Sequence, residues 1–130
     1  MSAAAAAPSV GAFPRRYRLT KTDEYSSVFG FRRAIRGTLF MVHYRPRGAD
    51  GTDARLGLVI GRKQVKSAVG RNRIKRILRE QFRLRRSGLP SLDVVFRLMV
   101  KPGRIDGRLV AREALDLMAR LPRKAISEGG

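Results

Sequence analysis

The segment AVGRNRIKRILREQFR, Ala68 to Arg83, limits the choice of fold more than any other part of this 130-residue chain. Wound as a helix, it gathers Ile74, Ile77, Leu78, Gln81 and Phe82 into one stripe of the width that faces a core. The opposite face carries Asn72, Arg76, Arg79 and Arg83. Lys75 and Arg86 lie on one flank, Arg73 and Glu80 on the other. Such a helix must bury its stripe against a second layer, and the neighbouring runs supply it. TLFMVHYR (38–45) and RLGLVIGRK (55–63) precede the segment and DVVFRLMVK (93–101) follows it. The first is rich in β-branched and aromatic residues, and all three read as strands. Alternation in the first puts Phe40, Val42 and Tyr44 on one face and Met41 and His43 on the other. The region of Gly37 leaves room for one more short strand.

Two further helices complete the pattern. In RRYRLTKTDEYSSVFG, Thr20 or Thr22 suits the N-cap, Asp23 and Glu24 suit the first turn, and Gly30 suits the end. Tyr25, Val28 and Phe29 recur there at helical spacing, with Tyr25 and Phe29 on one side and Val28 free to serve the core. Asp106 is placed to cap a last helix running to Arg120, with Val110, Ala114, Leu117, Met118 and Leu121 as its stripe and Pro122 as its stop. The order αβββαβα predicts an α+β fold, a two-layer α-β sandwich of about four strands in a mixed central sheet and three helices. One domain, residues 15–122, is expected between an Ala-rich flexible tail (1–14) and a short polar tail (123–130). PRGADGTD, at 46–53, reads as a turn-rich loop. The first residues lack the basic n-region of a secretory signal, and no arginine precedes Arg15 as a transit peptide would require. No run is long enough to span a bilayer, and a cytoplasmic location is expected.

Charge narrows the function. Lys and Arg number 29 against 10 Asp and Glu, a formal net charge of +19. On so small a body that charge repels itself, and a polyanionic partner is the natural reason for it. An anionic membrane is a weaker candidate, because a surface helix would want Trp, Phe and Leu along its apolar side and the chain has no Trp. A charged helix face is ordinarily just solvated. Here, however, the ridge is about three turns long and almost wholly of one sign.

Catalytic constellations are missing. There is no cysteine, and His43 is the single histidine, so neither a Ser/Cys–His nucleophile pair with its orienting group nor a His/Cys metal cluster is expected. Asp23, Glu24, Asp93 and Asp106 each stand where a helix start, a strand start or a cap explains them. No Walker-type phosphate loop occurs. A helix-turn-helix regulator would need a helix across a short turn before Arg71, and the strand LGLVIGRK stands there instead.

Read together, RLTKTDEYSSVF, LGLVIGRKQVKSAVGRNRIKR and the strand beginning at Asp93 resemble the protein component of bacterial ribonuclease P, over about Arg18 to Leu121. The resemblance implies an α-β sandwich with a left-handed strand-helix-strand crossover, where general rules would give a right-handed one. It also implies two partners, a catalytic RNA and the precursor tRNA whose 5′ leader that RNA removes. The RNA and its Mg2+ would do the chemistry, the protein alone would be inactive, and neither membrane nor DNA would be a partner. By position, Arg71, Asn72, Arg73, Lys75 and Arg76 match the RNA-facing helix and Arg62 and Lys63 the paired basic residues; Arg79, on the same basic face of the helix, is added to these as a candidate RNA contact. Tyr25 and Phe29 match the aromatic wall of a cleft for the single-stranded leader, and His43 matches a position on the strand beneath it. Departures include Gly61 and Arg62, which stand where a small polar residue and a lysine are usual, and Arg97, in the middle of a longer last strand that has room for a bulge and leaves Phe96 to Lys101 unplaced. A ribosomal or other structural RNA-binding protein would account for the charge and the fold equally well, but not for an aromatic pair beside the basic helix.

Overall fold

Among the described residues, hydrophobic alternation and helical periodicity give α1 (Thr22–Phe31), β1 (Arg33–Arg36), β2 (Phe40–Pro46), β3 (Arg55–Val59), α2 (Ala68–Arg85), a 3-10 turn (Arg86–Gly88), β4 (Leu92–Leu98) and α3 (Gly107–Ala119). The computed structural model describes residues 17–47 and 54–122. The two expected tails, the domain edge at Arg15 and most of the 46–53 loop lie outside the described residues.

The strands form one sheet in the order β1-β2-β4-β3. β2 runs antiparallel to β1 and β4, while β3 and β4, joined through α2, are parallel. The register explains the burial. One cross-strand row is Ile35, Val42, Phe96 and Leu58, and it faces the main core. There, Ile74, Leu78 and Phe82 of α2 and Val110, Ala114, Leu117 and Met118 of α3 are buried against the sheet together with Leu121. The next row is Ala34, His43, Val95 and Gly57, and it faces the other way. α1 lies on that side, with Val28 fully buried beside Leu19 and Val95.

Element ends depart from the expectations. Neither Thr20 nor Thr22 caps α1; Lys21 is the N-cap residue. Glu24 Oε1 accepts from the Thr20 and Lys21 amides at 2.8 and 3.0 Å, the reach-back half of a capping box. Gly30 does not end the helix. Phe31 does, and Arg32 turns the chain in the left-handed region at φ 63°, directly before β1. β3 stops at Val59, because the Gly61 carbonyl accepts from the Gln64 and Val65 amides and folds the chain into a turn. β4 has no bulge. Its pairing with β2 is unbroken from Leu92 to Leu98, and the strand ends there rather than at Lys101.

Two carboxylates lock the elements together. Asp93, buried on β4, accepts from Arg55 of β3 through both oxygens, Nε–Oδ1 at 2.8 Å and Nη2–Oδ2 at 2.9 Å. Arg55 also reaches Glu24 of α1 at 3.1 Å, and Arg47, just past β2, lies 3.5 Å from Asp93. Glu113 of α3 accepts from the Leu39 and Phe40 amides at 2.7 and 2.8 Å, pinning the β1–β2 turn onto the helix.

Candidate nucleic-acid interface

Helical spacing separates the three apolar residues of α1, and the structure keeps them apart. Val28 is sealed in the core, whereas Tyr25 and Phe29 are half-buried at its edge. The Tyr25 ring lies on the backbone of β3. A Cβ at Gly57 would stand 2.7 Å from that ring, so only glycine permits the approach. The Leu58 amide donates to the Tyr25 hydroxyl at 3.2 Å and fixes the ring in place. One helical turn on, Phe29 meets His43 of β2 edge to face, with ring centroids 4.7 Å apart and planes at 77°. The structure thus brings together all three residues singled out for the cleft. His43 is held below its usual titration range, first by burial and then by the charge of Arg97. Its Nε2 is buried and has no hydrogen-bond partner among the described residues.

The basic helix meets one of the two rings, that of Tyr25, across a hollow. Tyr25, Arg18, Lys75 and Arg79 line one hollow of about 130 Å³. Arg79 is half-buried, and burial followed by the charge of Arg18 lowers its pKa. No carboxylate pairs with Arg18, Lys75 or Arg79 among the described residues. A helix side that packs cations against a ring and leaves them unneutralised is suited to an anion that also carries flat faces.

The other predicted cations are distributed unequally. Asn72 and Arg76 are exposed on the same face of α2, and Arg62 and Lys63 are exposed in the turn after β3. Arg71 is turned inward, donating to the Val65 and Lys66 carbonyls at 2.9 Å each, and so braces the loop that leads into α2. Arg73 leaves the ridge and donates to the Ile105 carbonyl at 3.3 Å. Arg83 is neutralised by Glu80 at 2.7 Å, so the ridge is shorter than its sequence suggests. Sequence reading missed Arg18 in the hollow and Arg97 beside His43. The second was accessible: Arg97 alternates with Val95, and the Met41–Arg97 and His43–Val95 pairs set both on the His43 face.

Among the described residues, no three His, Cys, Asp or Glu side chains gather to hold Mg2+. Glu24, Asp93, Asp106 and Glu113 are each occupied by backbone amides or arginines.

A family model described as Ribonuclease P matches residues 13–122. The chain belongs to the ribonuclease P protein family. It is 48% identical over 106 residues to the ribonuclease P protein component of an Azoarcus species, covering 82% of this chain and 87% of that one. The solved ribonuclease P protein of Thermotoga maritima superposes with a TM-score of 0.70 at 29% identity, over 82% of this chain and 99% of that one. The Staphylococcus aureus ribonuclease P protein superposes at 0.74, with 20% identity over 82% and 96% of the two chains, and shares the fold. Among the described residues, no helix of this family member is long and apolar enough to cross a membrane.

Proposed function

We propose that the protein is the RNA-binding subunit of a ribonuclease P ribonucleoprotein, in which a catalytic RNA with its Mg2+ removes the 5′ leader of precursor tRNA. The observation that carries this reading is the junction of ring and cations, where Tyr25 of α1 shares a hollow with Lys75 and Arg79 of α2. In the proposal, Asn72, Lys75, Arg76 and Arg79, with Arg62 and Lys63, donate to phosphates and sugars of RNA. Tyr25, Phe29 and His43 hold the leader, the two rings by stacking and the imidazole by hydrogen bonding. Stacking tolerates any base, which suits a subunit that must handle many leaders. The chain contributes binding and orientation and no nucleophile.

Arg76 tests the phosphate part. It is exposed, so its loss leaves the fold intact. R76Q is expected to weaken binding to the catalytic RNA and to lower the slope of log K against log salt by about 0.7 to 0.9, the contribution of one phosphate contact. Unchanged affinity and slope would make Arg76 a solvated charge.

A further inference from the structure

The outward face of α3 has no role in the reading above. Its buried stripe is Val110, Ala114, Leu117 and Met118. On the far side, one turn apart, Arg108 and Arg112 are exposed, and Arg104 is exposed in the loop that enters the helix. None of the three has a carboxylate partner among the described residues. The neighbouring acids are engaged elsewhere. Asp106 caps its own helix by accepting from the Arg108 and Leu109 amides, Glu113 holds the β1–β2 turn, and Asp116 lies 3.6 Å from Arg120.

Arg73 links this face to α2. Its guanidinium reaches across to the Ile105 carbonyl and lies over Gly107, where a Cβ would stand 3.2 Å from it. With Arg104, Leu109 and the capping Asp106 it lines a hollow of about 560 Å³. The positive surface therefore runs past the α2 ridge, through Arg73, onto α3.

We propose that Arg104, Arg108 and Arg112 form a second phosphate-binding surface, occupied by the catalytic RNA. The identity of that RNA rests on the ribonuclease P reading. α1 and its aromatic residues lie on one face of the sheet, and α3 lies on the other. A single strand held beside Tyr25 and Phe29 does not occupy the α3 face at the same point. The polyanion on α3 is then the large RNA that seats the protein. Side chains at i and i+4 start about 6 Å apart, and two arginine forks at that spacing suit successive phosphates of a folded RNA, which is recognised mainly through its backbone.

The test is a salt series of catalytic-RNA affinity for R108Q/R112Q beside R76Q and wild type, plus the ratio of precursor to mature tRNA affinity in each assembled holoenzyme. The double variant is expected to lose about 1.4 to 1.8 from the salt slope, which is roughly 25- to 60-fold in Kd at 0.1 M salt relative to 1 M. The tRNA ratio stays at the wild-type value. If R76Q weakens binding and R108Q/R112Q does not, the α3 surface is only solvated and this proposal falls alone. If neither variant changes affinity or slope, the RNA-binding reading falls with it. A drop in the tRNA ratio at wild-type affinity for the catalytic RNA would overturn the assignment of this face to that RNA.

Discussion

Replacing Asp93 with asparagine is expected to cost about 3 to 5 kcal/mol of stability, the usual result of leaving one member of a buried ion pair without its partner. Asp93 is the acidic centre of a network that spans three elements and the end of a fourth. Arg55 grips it through two nitrogens, Arg47 approaches from the end of β2, and Glu24 draws the same Arg55 toward α1. D93N keeps the shape, but one acceptor oxygen becomes a donor facing a guanidinium that is 20% exposed and so partly withheld from water. For a domain near 100 residues each kcal/mol moves the melting temperature by about 4 °C or more, so a fall of about 12 °C or more is expected in thermal unfolding. Removing both charges in R55M/D93L should recover part of the loss, since paired apolar replacements avoid the orphaned charge. A D93N shift of only a degree or two would mean that Arg55 swings wholly to Glu24 and that Asp93 does not hold the sheet together.

The second large effect concerns binding. In the holoenzyme assembled with its catalytic RNA, Y25A/F29A is expected to lower precursor tRNA affinity at least about thirtyfold. Stacking is worth about 1 to 3 kcal/mol per base, and 1.4 kcal/mol is a factor of ten. Mature tRNA lacks the leader, and its affinity should stay within about twofold. Alanine also removes the Phe29 contact with His43 and the Tyr25 contact with Gly57, so some stability goes as well. Y25L/F29L separates the two effects, because leucine keeps apolar volume at the edge of the Val28 cluster and offers no flat face. The leucine pair is expected to melt near wild type and still lose precursor affinity. Equal losses for both tRNAs, or wild-type binding by the leucine pair, would return the two rings to a packing role.

Sequence periodicity carried a large part of this account, and particular residues show where it stopped. The four stripe residues within α3, from Val110 to Met118, and Leu121 just past its end are buried, and Asp106 is the cap, because a 3.6-residue period and a local acceptor depend only on neighbours in the chain. The separation of Val28 from Tyr25 and Phe29 was legible for the same reason. Contacts made at long range were not. Asp93 and Arg55 are 38 residues apart, and Glu113 is 74 residues from Leu39, so no local pattern marks either pair. Helix ends were misread at Lys21 and Arg32, where a long acid and a non-glycine left-handed residue replaced the usual choices. In the candidate site, the basic face of α2 was visible in outline. Its editing was not: Arg71, Arg73 and Arg83 turn to a loop, to α3 and to Glu80, partners that only the fold brings within reach. The pairing of Phe29 with His43 needed the sheet register, and the meaning of Gly57 needed Tyr25 lying on it.

The central claim is that this chain works by holding RNA for a catalyst it does not itself contain. Its most direct test mixes the purified protein, the cognate catalytic RNA and precursor tRNA at low Mg2+, singly and together, and reads the 5′ end of the tRNA product. Leader removal at the mature 5′ end is expected with both components, little or none with the RNA alone at that Mg2+, and none with the protein alone. Cleavage by the RNA alone that the protein leaves unaltered in rate and site, or trimming by protein free of contaminating nuclease, would contradict it.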